Sequence, residues 1–381
     1  MPFRRNIRLM YAMSFIQGMV FYVSIATLYR KACGVTVFQM TVLESISLAL
    51  TMALELPWGI LAERIGYKKV LVICSFLSAF AKYIFWIADV FRLFLLERIV
   101  LAVVMSGLSG VDSSILYISC GEKNAQKAFG TYTALGSAGL MIASGIFSLL
   151  PDGSYRLSAF LTLITYSVAA ILSLFITEVR EKPERPANPV SALNAALRGL
   201  REIKGLVPLL IMNVLLFETL HNITVFFSQL QYTRCGAAMG MLGVATMIGS
   251  VCEMSGGLSD RLTKLLGEKR FGITVIALCT AGCFIMAFTS NLLISVSAVS
   301  IMFAACVLMG PLTAVMENRM ISSDDRATML SMNSMLTGAL SIPLNLALGR
   351  IVDIHLPAAF MVCGILVACS GILFVKASAK N

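Results

Sequence analysis

Glu44 and Glu218 each sit inside a long apolar run of the 381-residue sequence. A carboxylate in such a run is costly, so it needs a partner or a purpose: a proton to carry, or a cation to hold. Around Glu218 polar residues recur at helical spacing, with Asn222 at i+4, Gln229 at i+11 and His221 one turn away. A milder stripe of Tyr11, Ser14, Gln17 and Ser24 lies near the N-terminus. Arg98 falls within a third apolar run, where it can pair with a carboxylate or relay to one. Glu218, Glu44, Asn222, His221, Gln17 and Arg98 are therefore the candidate proton- or substrate-binding residues. Hydrogen bonding between helices is the plainer account of each, and the residues alone leave the two open.

No other chemistry is visible. The only histidines are His221 and His355, and neither HExxH, Gly-x-Ser-x-Gly nor a Gly-x4-Gly-Lys-Ser/Thr phosphate loop occurs. The ten cysteines lie mostly within apolar runs without a CxxC, and Cys279 with Cys283 are too few for a zinc site. Hence no catalytic residue, metal or cofactor is expected, and an enzyme or an ATP-driven pump is disfavoured.

The elements that must hold these groups are membrane helices. Hydrophobic residues make up 58% of the chain and charged ones 13%, with a mean hydropathy of +0.86; a soluble domain carries about 25% charged residues. Apolar stretches long enough to cross ~30 Å of hydrocarbon recur throughout. Hydropathy places twelve helices at 9–29, 37–61, 70–88, 93–117, 128–150, 155–177, 206–230, 237–258, 271–290, 292–316, 329–349 and 356–376. The basic start, "MPFRRNIRLMY", has no small-residue cleavage site after it and reads as a retained first helix. The net charge of +10 sits in the connections. With both termini inside, 22 of the 30 bases fall on the cytoplasmic side and six outside, as the positive-inside rule expects. No basic patch interleaved with aromatics suggests nucleic acid. Within the helices Glu44, Glu55, Asp112, Glu218 and Glu253 outnumber Arg98 and Lys82, and Lys82 is expected to snorkel outward. That balance favours protons and cations.

Midway lies "EVREKPERPANPVSALNAALRGLREIKG", 178–205, a proline-broken charged linker followed by a short amphipathic helix at the membrane surface. It divides the chain into 1–177 and 206–381, six helices each. The halves echo one another. Gly59-Ile-Leu61-Ala62-Glu63-Arg64 matches Gly256-Gly-Leu258-Ser259-Asp260-Arg261; Gly66-Tyr-Lys68-Lys69 matches Gly267-Glu-Lys269-Arg270; and "YRKACG" (29–34) matches "YTRCG" (232–236). A duplicated six-helix unit follows.

Residues 59–69, "GILAERIGYKK", resemble the Gly-x-Leu-Ala-Asp-Arg-x-Gly-Arg-Lys loop between helices two and three of the major facilitator superfamily. Arg98 and Ala102 are similar to the Arg-x-x-x-Gly pattern of its proton-coupled exporters, and "LELPWGILAERIGYKK" and "RATMLSMNSM" resemble bacterial drug-exporter-like members. The sequence departs from that pattern at Glu63 (aspartate in the family), at Tyr67 (arginine) and in helix five, where "GSAGLMIASG" has no Gly-Pro.

The resemblance implies two six-helix bundles that rock about a central site lined by helices one and seven. It makes Gly59, Glu63, Arg64, Gly66, Lys68, Lys69, Asp260 and Arg261 part of a cytoplasmic gate. In that gate the glycines permit a tight turn, Glu63 faces a helix dipole and the bases meet carboxylates or lipid phosphates. Glu55, Asp112, Glu253 and Glu317, near cytoplasmic helix ends, are expected to pair with loop bases or dipoles. The implied activity is proton-coupled efflux of small amphipathic or cationic compounds by a monomer in a bacterial cell membrane, with protons and lipids as its other partners. Uptake or export of a specific metabolite is the alternative, and a non-transporting sensor on the same scaffold is the second.

Overall fold

A single glycine joins helices two and three, and another joins helices eight and nine. Gly66 adopts φ 95°, ψ 150°, and Gly267 adopts φ 81°, ψ 146°. Both lie outside the range open to a residue with a Cβ, so each glycine lets one helix stop and the next start in a new direction. Gly34 and Gly236 close helices one and seven with matching amide bonds. Gly34 N–H donates to Lys31 and Val35 N–H to Arg30, while Gly236 N–H donates to Thr233 and Ala237 N–H to Tyr232. The duplication read from the sequence is thus present in the backbone.

The computed structural model describes residues 2–179, 206–320 and 326–378; the side chains of a few helical residues, Glu63 and 326–334 among them, are outside that description. The linker expected at 178–205 lies outside it from residue 180 on, its amphipathic helix included. All regular structure among the described residues is helical. We number the helices α1 (Phe3–Ala32), α2 (Val37–Ile65), α3 (Tyr67–Ile87), α4 (Phe91–Cys120), α5 (Glu122–Ser148) and α6 (Tyr155–Ser173). They continue as α7 (Val207–Arg234), α8 (Met239–Leu266), α9 (Glu268–Phe288), α10 (Leu292–Met320), α11 (Arg326–Ile354) and α12 (Leu356–Ser378). Eleven are long and apolar enough to cross a membrane. The twelfth, α5, carries Glu122, Lys123 and Lys127 at its start and is uncharged from Ala128 to Ser148.

Several helices outrun their apolar cores. α1 begins with Arg4, Arg5 and Arg8 and ends past Arg30. Hydropathy stops where side chains meet the headgroups, but helical hydrogen bonding does not.

The described helices form two compact units. The first holds α1–α6 with the first part of α8 (Ala238–Ser250); the second holds α7, the rest of α8 and α9–α12. In the first unit α1 lies backbone to backbone on α5. A Cβ on Gly139 would collide with the Phe15 carbonyl, and one on Gly18 with the Gly136 carbonyl. The small residues of "GSAGLMIASG" therefore serve close helix approach, where packing without side chains gains the most van der Waals contact. α1 breaks just after this contact: a 3-10 turn spans Val23–Ile25 before the helix resumes at Ala26.

The loop before α3 is tied down within the same unit. Glu178 accepts a hydrogen bond from the Lys68 backbone N–H at 3.2 Å, placing a carboxylate at the positive end of α3. A Cβ on Gly66 would meet that carboxylate, whereas nothing lies within 4 Å of one on Gly59. Gly66→Ala should therefore lower the unfolding temperature, by a cost of roughly 1–3 kcal/mol for a backbone that essentially only glycine adopts, and Gly59→Ala, inside α2, should leave it the same or raise it. Thermal unfolding in detergent, followed with a thiol-reactive dye, reads both; equal midpoints would refute this role for Gly66.

Candidate functional site

In the first unit four charged side chains form one chain of ion pairs. Arg30 of α1 lies 3.7 Å from Glu97 of α4, Glu97 lies 3.6 Å from Arg98, and Arg98 lies 3.1 Å from Glu44 of α2. Glu97 and Arg98 are neighbours in sequence, so one points toward α1 and the other toward α2. The chain is sealed at one end and open at the other. Glu97 is 1% exposed, while Arg98 and Glu44 are 20% and 27% exposed. Arg30 is further covered by the rings of Phe85 and Phe94, 5.2 and 5.6 Å from its guanidinium carbon. Tyr29 packs edge-on against the same two rings and donates to the Ala88 carbonyl at 2.6 Å.

Lys82 does not snorkel. It is 6% exposed, and its ammonium donates to the Tyr22 hydroxyl at 2.8 Å between the Tyr22 and Tyr166 rings. The aromatic faces and the hydroxyl hold the charge inside, so stretching to the headgroups gains nothing. The interior of this unit is consequently balanced rather than acid-biased: Arg30, Lys82 and Arg98 stand against Glu97, Glu44 and the half-buried Asp112.

In the second unit Glu218 anchors an amide network. Its Oε1 accepts from Asn345 Nδ2 of α11 at 2.7 Å, and Asn345 Oδ1 accepts from Asn222 Nδ2, which also reaches the Glu218 carbonyl at 2.9 Å. Asn222 and Asn345 are buried, and the Asn222 Oδ1 has no partner among the described residues. Two π-helical turns, Val214–Glu218 and Ile223–Phe227, bracket this stretch of α7. Such turns re-aim side chains and recur at functional sites. Pro343 lies two positions before Asn345 in α11 and removes one helical amide there. His221 is exposed, edge-on to Phe226, and outside this network. Gln17 is half-buried on α1 just before its break. Gln229 is buried.

The loop residues are less committed. Among the described residues Arg64, Lys68 and Lys69 form no ion pair, and Arg64 and Lys69 are exposed. Glu55 accepts from Ser109 at 3.1 Å rather than from a base. Asp112 accepts from the Ser113 amide, and Glu317 from Asn213 of α7. Asp260 pairs with Lys264 within its own helix at 2.7 Å, Arg261 is exposed, and Glu253 is half-buried. Glu268 instead pairs with Arg319 at 2.8 Å, tying α9 to α10.

Sequence reasoning missed Glu97, Arg30 and Asn345. Arg30 fell one residue beyond the expected end of helix one. Glu97 was legible as half of an adjacent Glu-Arg pair inside an apolar run, and Asn345 as an amide beside a helix proline.

The sequence matches the family profile of the Major Facilitator Superfamily over residues 8–344. The chain belongs to that superfamily. No curated protein matches it in sequence. The crystal structure of a point mutant of the nucleoside transporter NupG is similar over 98% of this chain and 99% of that one, with a TM-score of 0.83 and 14% identity. The POT family transporter PepTSo aligns over 100% of this chain and 98% of that one, at a TM-score of 0.75 and 13% identity. A bacterial homolog of the human lysosomal transporter Spinster aligns over 98% and 94%, at 0.68 and 16%. At these identities the likeness is one of fold. The chain is a multi-pass, all-α membrane protein with twelve transmembrane helices in two pseudo-symmetric six-helix bundles, and this superfamily member is a secondary transporter for small molecules rather than an enzyme.

Glu97 is the carboxylate within 4.0 Å of the buried Arg30, and it also lies 3.6 Å from Arg98. Glu97→Gln should cost about 3 kcal/mol or more, since removing one partner leaves buried charge uncompensated. Asp260→Asn, which breaks an exposed i,i+4 pair, should leave stability unchanged within error. Comparing their thermal midpoints in detergent checks both; a Glu97→Gln midpoint as high as that of Asp260→Asn would show that the ion-pair chain does not hold the unit together.

Proposed function

We propose that the chain couples proton movement to the efflux of small amphipathic compounds, basic ones among them, across a bacterial cell membrane, as a monomer with both termini in the cytoplasm. The observation that carries this reading is the ion-pair chain whose open end is a carboxylate. A proton arriving at Glu44 would neutralise it and leave Arg98 to Glu97 alone, changing the charge presented at the open end while the sealed end keeps its partner. A basic substrate group would compete for the same carboxylate. Glu218 offers a second carboxylate, half-buried and held by Asn345, suited to a proton or to a cation. The loop bases Arg64, Lys68 and Lys69, with Gly59, Glu63 and Gly66 beside them and with Asp260 and Arg261 in the second copy, would form contacts of about 0–1 kcal/mol each at a cytoplasmic gate. Contacts of that size can break in every cycle.

A second reading, transport of one specific polar metabolite, is favoured by the Glu218–Asn345–Asn222 network. A site built from hydrogen-bonding groups rejects compounds that leave those groups unpaired. One of the similar structures is a nucleoside transporter, but a likeness at 14% identity does not carry its substrate over.

Transport of a fluorescent lipophilic cation into inside-out vesicles tests the proposal, with an acid-interior gradient and then an uncoupler. The wild type should accumulate the probe only with the gradient, and Glu44→Gln or Glu218→Gln should reduce that accumulation at least about tenfold, the scale of one lost charged hydrogen bond. Gradient-independent movement, or none, would sink proton-coupled cation export and leave metabolite transport as the reading to pursue.

A further inference from the structure

Lys82 is a buried cation without a counter-charge among the described residues. Of the three bases in the first unit's interior, the buried Arg30 and the half-buried Arg98 have carboxylates within 4.0 Å. The partners of Lys82 are instead the Tyr22 hydroxyl and two ring faces. An ammonium has three N–H donors, and one is used. The ring faces stabilise the cation without neutralising it. Tyr22 itself stacks on Phe85 at 4.0 Å and lies in the field of Arg30, Arg98 and Glu97. A ligand anion placed beside Lys82 would therefore meet an ammonium that no carboxylate neutralises, in a setting where water screens little. Of the two rings, Tyr22 is buried and Tyr166 is half-buried, so the cage is less covered on the α6 side.

We propose that Lys82, with Tyr22 and Tyr166, forms the contact for an acidic group, a carboxylate or a phosphate monoester, on a carried compound. The spare donors of the ammonium take the anion, the half-buried Tyr166 ring flanks the compound's apolar body, and the ligand supplies the charge that the protein withholds. This extends the substrate range beyond the basic compounds that Glu44 and Glu218 suit. It rests on the chain being a transporter, but not on proton coupling or on direction.

The test is equilibrium binding by titration calorimetry to the full chain in phosphatidylcholine nanodiscs, with benzoate and phenyl phosphate as probes and benzyl alcohol as the neutral control. Wild type should bind the two anions more tightly than the alcohol. Lys82→Met should weaken anion binding at least about tenfold, as expected for one charge-assisted contact, with alcohol binding unmoved, and Lys82→Arg should restore most of the loss. Should Lys82→Met fail to give a monodisperse, cooperatively unfolding protein, Tyr166→Leu serves in its place and should weaken the same probes about threefold, the scale of one lost contact between aromatic rings. Equal affinity in wild type and Lys82→Met, or no preference for anions, would overturn the proposal. So would loss of soluble-anion binding on adding phosphatidylglycerol to the nanodisc, because the site would then belong to a lipid headgroup. Binding is read without a gradient, so failure here leaves the vesicle result standing, and failure there leaves this one standing.

Discussion

The first unit depends on the cost of keeping charge away from water. Ionised side chains inside a membrane bundle are tolerated only when other groups replace their hydration. Glu97 sets a counter-charge 3.6–3.7 Å from two arginines, and the rings of Phe85 and Phe94 cover Arg30, whose Nε has no hydrogen-bond partner among the described residues. Helices α1, α2 and α4 are therefore fixed by electrostatics as well as by packing. The break in α1 belongs to the same arrangement, because the helix resumes beyond it and delivers Tyr29 and Arg30 to the rings and to Glu97.

The two units handle their polar groups differently. The first uses full charges in alternation, graded from sealed to open. The second uses a carboxylate and two amides, held by hydrogen bonds and carried on helices that bend or widen locally. π-helical turns in α7 and Pro343 in α11 leave backbone groups without their regular partners. Such stretches reshape at lower cost than a regular helix does. In contrast, Arg64, Lys69 and the Asp260–Lys264 and Glu268–Arg319 pairs are exposed, where ion pairs are weak. Pairing that water does not screen is thus confined to the bundle interior, and screened, reversible pairing to its surface.

Much of this was legible in residue order. Twelve apolar runs, the placement of basic residues and the paired glycine loops led to the architecture, because membrane spanning requires length and apolarity that composition reports directly. Arg98, Glu44, Glu218 and Asn222 were found for the same reason, as polar groups that an apolar run tolerates only when partnered. The pairings were not legible. Hydropathy cannot say whether Lys82 reaches outward to the headgroups or inward to Tyr22, since both satisfy it. Nor can helical spacing say that Asn222 faces Asn345 while His221 turns away, because π-helical turns shift the register on which spacing arguments rely.

By itself, then, the sequence determined that this chain crosses a membrane twelve times, that its halves are copies of one design, and which few residues carry unexpected charge. Those properties follow from local composition and from period. Tertiary structure alone decided that Glu97 sits between two arginines, that Glu218 is held by Asn345 from another helix, and that Lys82 keeps its charge inside beside Tyr22 and Tyr166. Each of these joins residues on different helices, and a buried charge finds its partner through space, not along the chain.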